Sequence, residues 1–213
     1  MEAYKTSEME IWGGEFGKRY TDRNAYSFEE FENRYIEKYG INRTALNKEF
    51  LDGFNRNIRI LEIGANVGYQ LLCLQKMGFT ELYGIELQNY AIEKSKILTK
   101  NIFISKGSIF DIPFKDNFFD LVYTSGVLIH IKPDDLKIAM DEIVRCSKKY
   151  IWGFEYFSEE IQEIPYRGHN SLMWKANYPE IFLNYNKDLS SIKQKKINYK
   201  NDNNIDIMYL LTK

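Results

Sequence analysis

The sequence predicts an alternating α/β fold in which a doubly wound, mostly parallel sheet of seven strands carries a C-terminal antiparallel hairpin. Three observations lead there. Strand-like apolar runs alternate with helix-periodic runs from residue 58 to about residue 183, as expected of parallel strands joined by crossover helices. The apolar run Ile60-Leu61-Glu62-Ile63 passes directly into Gly64-Ala65-Asn66-Val67-Gly68 and then a helix. At the far end, Ser191 to Asn198 and Ile205 to Leu211 flank Asn201-Asp202-Asn203-Asn204, whose residues tolerate left-handed backbone angles and so suit a hairpin turn.

Taken in order, Trp12, Phe16 and Tyr20 recur every fourth residue and would share one helix face. Such a face either packs on the core or belongs to a segment closing over ligand. Gly13, Gly14 and Gly17 lower helix propensity and favour the second reading, so residues 1–53 are assigned to an N-terminal helical lid or cap and residues 54–213 to the main domain. Ser27-Phe28-Glu29-Glu30 has capping-box spacing, with Phe31, Tyr35, Ile36 and Tyr39 on one face and Gly40 as the stop. A short helix over Thr44 to Leu51 follows.

The first strand is predicted over Ile58 to Ile63, its helix over Gly68 to Met77, and the second strand over Glu81 to Glu86. Asn89 is placed as the cap of the next helix. The third and fourth strands, Ile102 to Lys106 and Phe119 to Thr124, bracket the loop Gly107 to Asn117. Pro133 suits a helix first turn, Asp134 and Asp135 its positive end, and Arg145, Lys148 and Lys149 its negative end. The fifth strand then runs from Tyr150 to Phe154.

Composition narrows the function classes. The chain has 213 residues, 44% of them hydrophobic, enough for one substantial core. A net charge of −1 gives no basic field for nucleic acid or an anionic membrane. Lys193, Lys195, Lys196 and Lys200 form a local basic run that a solvated strand face accounts for. Cys73 and Cys146 lie in apolar helix-like patterns without metal or redox spacing and are expected as core thiols; no metal site is expected. Met1 to Ile11 lacks the apolar centre of a signal peptide, and no run is long enough to span a bilayer, so a cytoplasmic protein is expected.

The polar residues that can do chemistry gather at the carboxyl ends of the strands, where doubly wound sheets bind ligands. Glu62 ends the first strand, Glu86 the second, Ser108 and Ile109 follow the third, Ser125 and Gly126 the fourth, and Glu155 the fifth. Any one of these is also explained as a turn or a helix cap; their succession favours a binding site. Glu86, twenty-two residues after Gly64, is placed to accept from both hydroxyls of a ribose. Asn66 stands where a dinucleotide site needs its second glycine, and no Gly-x-x-x-x-Gly-Lys-Ser/Thr element is present, so a diphosphate and P-loop chemistry both fit poorly. A nucleoside with an amino-acid tail fits better.

The segments Leu61 to Gly68, Gly84-Ile85-Glu86, Gly107 to Phe114 and Phe119 to His130 together resemble the ordered motifs of class I S-adenosylmethionine-dependent methyltransferases. More narrowly, Trp12 to Asn24, Glu155-Tyr156-Phe157 and Ile164 to His169 resemble methyltransferases associated with pseudaminic acid biosynthesis. The resemblance implies a Rossmann-like methyltransferase domain over residues 54–213 and S-adenosylmethionine as cofactor. It implies that Glu86 holds the ribose, that Gly64, Ala65 and Asn66 approach the methionine portion, that Leu87 and Ile109 sandwich adenine, and that Ser125 and Gly126 border the transfer chamber; Glu62, ending the first strand, is also expected among the cofactor-binding residues. Ser108 replaces the aspartate common in the family, offering the adenine amino group a weaker acceptor. Tyr20, Arg23 and Asn24 are expected to face the cofactor, and Trp12, Tyr156 and Arg167 the acceptor.

A sulfonium methyl group is already electrophilic, so the protein has mainly to align a nucleophile and exclude water. An acidic sugar arriving as a carboxylate needs no base, whereas a hydroxyl does; His130, Glu155 and His169 are the candidates. His130 equally suits a purely structural task before Pro133, and Arg167 either pairs with an acidic acceptor or makes a surface ion pair. Two other readings stay open: a non-catalytic nucleoside-binding module, and a methyltransferase for an unrelated small metabolite. A nicotinamide-dependent oxidoreductase lacks its pyrophosphate glycines.

Overall fold

The computed structural model describes residues 4–213, so Met1 to Ala3 of the N-terminal run read above lie outside the described residues. The chain divides into two compact units, a first ending at Pro113 and a second from Phe114 to Lys213.

In the first unit α1 (Ser7–Gly13) and α2 (Glu15–Arg23) replace the single aromatic-faced helix suggested by the four-residue spacing. The break falls at Gly14, whose backbone is extended. The aromatic side chains still meet: the Trp12 ring sits edge-on to Phe16 at 5.1 Å and to Tyr20 at 5.3 Å. Next come α3 (Phe28–Tyr39), with the capping box between Ser27 and Glu30 formed in both directions and Gly40 left-handed at its end, and α4 (Arg43–Leu51), capped by Asn42.

β1 (Arg59–Ile63), α5 (Tyr69–Lys76), β2 (Glu81–Glu86), α6 (Asn89–Leu98) and β3 (Phe103–Lys106) then alternate as the sequence predicts. β1 pairs with β2 and β2 with β3, both parallel. Apolar side chains on these strands, Ile60, Leu61, Ile63, Leu82 and Ile85, are buried, as parallel strands covered on both faces require. The cap of α6 is Gln88 rather than Asn89, and its side chain bonds elsewhere.

The second unit holds β4 (Phe119–Ser125), α7 (Leu136–Cys146), β5 (Ser147–Tyr156), the short pair β6 (Gln162–Glu163) and β7 (Trp174–Lys175), α8 (Tyr178–Tyr185), β8 (Ser190–Asn198) and β9 (Ile205–Thr212). Pro133 opens a 3-10 turn that leads into α7 rather than the helix itself. β5 is longer than its apolar run because it pairs with β4 from Ser147 and with β9 out to Tyr156, and these ladders hold polar residues in the extended state. β6, β7 and α8 have no clear pattern in the sequence. The hairpin turn closes without left-handed residues at 201–204; Asp202 instead accepts from the Asn204 amide at 2.7 Å. β8 is largely exposed, and its lysines discourage pairing along an open edge.

The strands take the order β3-β2-β1-β4-β5-β9-β8 in one seven-stranded sheet, parallel within β3-β2-β1 and within β4-β5 and antiparallel from β5 through β9 to β8. This is the Rossmann-like architecture expected, with its hairpin. Cys73 and Cys146 are fully buried thiols. Among the described residues no helix is long and apolar enough to cross a membrane, and no group of three or more His, Cys, Asp and Glu side chains is arranged to hold a metal.

Candidate functional site

In the first unit the turn after β1 is built from left-handed residues, with φ of 69° at Gly64, 47° at Asn66 and 92° at Gly68. Asparagine tolerates that region better than other side-chain-bearing residues. The turn is fixed to β2, since the amides of Gly64 and Ala65 both donate to the Ile85 carbonyl, at 2.9 and 3.0 Å. A Cβ at Gly84 would stand 2.8 Å from the Ala65 Cβ, so glycine there lets the turn lie flat on the neighbouring strand.

Glu86 sits at the end of β2 with 9% of its surface exposed. Its Oε2 accepts from the Asn66 amide at 2.8 Å and its Oε1 from the Gln88 amide at 2.9 Å. Burial pushes its pKa up, and the amides of Gln88, Asn66 and Leu87 oppose that shift by favouring the charged form. A carboxylate can take about four hydrogen bonds. With the Asn66 amide on one oxygen and the Gln88 amide on the other, each oxygen keeps acceptor capacity.

Two residues that sequence reasoning missed complete this cradle. Thr21, 1% exposed, accepts from Asn66 Nδ2 at 3.0 Å and donates to the Gly17 carbonyl at 3.2 Å. Gln88 Nε2 donates to the Trp12 carbonyl at 2.9 Å and to the Gly14 carbonyl. Of the predicted lid residues, Asn24 caps α2 by donating to the Tyr20 carbonyl at 2.8 Å, Arg23 is exposed and Tyr20 half-buried. Glu62 is buried within β1, and Leu87 is half-buried. Ser108 Oγ accepts from the Phe110 amide at 3.2 Å, so its hydroxyl shapes the turn that holds buried Ile109.

The second unit holds a separate polar cluster. Gly126 is left-handed, with its amide on the Phe154 carbonyl at 2.9 Å, and Ser125 beside it is half-buried. Glu155 is 1% exposed, and its two oxygens accept from the amides of Val127 and Ile129 at 3.3 and 3.4 Å. Burial raises its pKa to about 7, against hydrogen bonds from Thr124 and the 127–129 amides. Tyr178 and Tyr209 are held neutral by burial and by the Glu155 charge.

His130 stands on the turn that Glu155 holds. Its Nδ1 lies 2.7 Å from the Leu172 carbonyl, which can only accept, so Nδ1 carries the proton and Nε2 is the unprotonated nitrogen. Desolvation lowers its pKa to about 4, so the ring is neutral at pH 7. The ring leans on Tyr166 at 5.5 Å. Tyr166 to His169 closes through reciprocal backbone bonds of 2.9 Å, with Arg167 and Gly168 both left-handed, as in a type I′ turn. Arg167 is exposed at its tip and His169 half-buried at its foot. Tyr156 stacks on Tyr199 at 5.9 Å with Lys175 Nζ 4.0 Å over its ring.

Residues 61–150 match a methyltransferase domain. That stretch includes Gly64, Asn66, Gly68, Glu86, Gln88, Ser108, Ile109, Ser125, Gly126 and His130, but not Thr21. An uncharacterized methyltransferase of Staphylococcus carnosus is 30% identical over 139 residues, 62% of this chain and 61% of that one. The matches span 41% and 61% of the length of the curated relatives.

Among solved structures, the Burkholderia thailandensis 1,6-didemethyltoxoflavin-N1-methyltransferase, with bound 1,6-didemethyltoxoflavin and S-adenosylhomocysteine, superposes with a TM-score of 0.72 at 13% identity, covering 100% of this chain and 93% of that one. A complex of the Haloferax volcanii Trm112 methyltransferase activator with a candidate methyltransferase gives 0.70 at 14% identity, covering 97% of each chain. These likenesses show the methyltransferase fold.

Proposed function

We propose that this protein is an S-adenosylmethionine-dependent methyltransferase acting on a small acidic sugar of the pseudaminic type, free, nucleotide-linked or as a precursor. The observation that carries the cofactor half is Glu86: a buried strand-end carboxylate beside a left-handed Gly64-Asn66-Gly68 turn, with acceptor capacity on both oxygens. Those two acceptors fit the paired hydroxyls of a ribose, and the turn lets an amino-acid tail approach bare backbone. When bound, S-adenosylmethionine supplies an electrophilic methyl group on sulfur. In this reading Gly64, Ala65, Asn66 and Glu62 border the tail, and Leu87, Ser108 and Ile109 the adenine. Tyr20, Arg23, Asn24, Ser125 and Gly126 complete the cofactor site, residues 1–53 serve as cap to the domain of residues 54–213, and the protein works in the cytoplasm.

The acceptor half rests on the resemblance of the N-terminal and 155–169 segments and on the chemistry available there. Arg167, held out at the tip of a tight turn, suits two-point recognition of a carboxylate, with Trp12 and Tyr156 as aromatic partners to the sugar. His130, neutral at pH 7 with its proton fixed on Nδ1, can take a proton on Nε2 from a hydroxyl acceptor. His169 is a second proton acceptor, and Glu155 acts through the turn it holds.

Calorimetry should show binding of S-adenosylmethionine and S-adenosylhomocysteine in the micromolar range; silence from the wild-type protein refutes the cofactor assignment. Mass spectrometry of acidic sugars from cells with and without the protein should differ by one methyl group. Cofactor binding with no transfer to any free or nucleotide-linked nonulosonic acid would instead support a different acceptor or a non-catalytic module.

A further inference from the structure

The carboxylate of Glu86 lies between two backbone amides, those of Asn66 and Gln88, and the side chains of these same two residues both reach the N-terminal helix pair. Asn66 Nδ2 donates to Thr21 on α2, and Gln88 Nε2 donates to the carbonyls of Trp12 and Gly14 where α1 ends. Helix C-termini leave carbonyls without intrahelical partners. Gln88 therefore adds, from 74 and 76 residues away, to the capping of α1 that the Gly14 amide begins at the Ile11 carbonyl. Gly17 makes the approach possible: a Cβ there would stand 1.9 Å from the Trp12 carbonyl oxygen and 2.9 Å from Gln88 Nε2. An exposed latch adds Asp22, which accepts from Tyr90 and Lys94 on α6, both at 2.6 Å.

We infer that Thr21 and Gln88 are positioning residues that couple docking of α1 and α2 to the geometry of the Glu86 carboxylate, and so tune affinity for the nucleoside without touching it. The inference rests on Glu86 as the ribose ligand. Its physical basis is linkage: a ligand that needs the Asn66 and Gln88 amides in place also favours the docked helices, and the docked helices favour the ligand to the same extent. It also gives Asn66 a reason to stand where glycine would be conformationally easier. Glycine has no side chain with which to reach Thr21.

The test uses the full chain and S-adenosylhomocysteine as probe. Thr21→Val and Gln88→Leu each remove the side-chain bonds that join the helix pair to the cradle, and each should weaken binding about threefold to tenfold by calorimetry, equivalent to about 0.65–1.4 kcal/mol. Thr21→Ser, which keeps the hydroxyl, should restore wild-type affinity. Hydrogen exchange should show faster exchange over residues 7–23 in Thr21→Val than in wild type, with the difference narrowed by ligand. A variant that melts far below wild type is replaced in the comparison by Thr21→Ser against Asn66→Gly, which cuts the same bond from the other side. Wild-type binding with Thr21→Val, Gln88→Leu and Asn66→Gly all within twofold of it would overturn this inference alone. Wild-type protein silent toward the probe would overturn the cofactor assignment and this inference with it.

Discussion

Glu155 and His130 shift in opposite directions, and their effects on stability should conceal each other until one is removed. The Glu155 carboxyl moves from 4.5 to about 7 on folding, so its contribution is fully present below pH 4.5 and is lost as pH rises towards 7. His130 moves from 6.5 to about 4, so its contribution is fully present above pH 6.5 and is lost as pH falls towards 4. Each displacement is about 2.5 pH units, equivalent to about 3 kcal/mol at 1.36 kcal/mol per unit.

Between pH 4.5 and 6.5 the two slopes oppose and should nearly cancel in the wild-type protein. Glu155→Gln removes the falling slope, so its stability should rise with pH across the window by about 2 kcal/mol, or roughly 4–8 °C in melting temperature for a chain of this size. His130→Asn keeps a donor for the Leu172 carbonyl and removes the ring; its stability should fall with rising pH by a similar amount. Either substitution can also lower stability by a constant, so slope, not height, carries the result. Calorimetric melts at half-unit steps from pH 4.5 to 7 would decide it. Both variants retaining the wild-type slope would show that burial does not hold these groups as described.

Three further outcomes are expected. Glu86→Gln presents an NH₂ group to one of two backbone amides and loses the charge from the paired ribose contacts; at about 1.5–3 kcal/mol per charged hydrogen bond, S-adenosylhomocysteine binding should weaken at least about 100-fold by calorimetry, and unchanged affinity would remove Glu86 from the site. Gly17→Ala should undock the N-terminal helices, because its methyl group would overlap the Trp12 carbonyl, and a stability loss of about 1–3 kcal/mol with faster hydrogen exchange over residues 7–23 checks this. Gly153→Ala would place a Cβ 2.1 Å from the Tyr209 ring, in a buried contact with little room to yield. A loss of about 3 kcal/mol or more in urea unfolding is expected, and a melt like wild type would mean Tyr209 can move aside.

The parts of the fold legible in the sequence are those set by local rules. Ser27 and Glu30 cap α3 as their spacing says, and β2 spans Glu81 to Glu86 as its apolar run says. The single N-terminal helix was half legible: the aromatic residues cluster, but Gly14 divides the helix, and which glycine breaks it depends on the Gln88 side chain meeting the carbonyls there. Asn89 has better capping chemistry than Gln88, yet the helix begins one residue earlier because the Gln88 amide is held by Glu86. β5 outran its apolar run because two partner strands extend it, which no property of residues 147–156 announces.

By itself the sequence determined the order of the main sheet strands and their crossover helices, the glycine turn at Gly64 and the carboxylate at Glu86, because periodicity and left-handed backbone are properties of neighbouring residues. Tertiary structure alone decided that Thr21 and Gln88 hold the N-terminal helices, and that burial of Glu155 and desolvation of the half-buried His130 shift their protonation. Those features depend on contacts between residues far apart in the chain and on the loss of water around them, and desolvation has no signature in the order of amino acids.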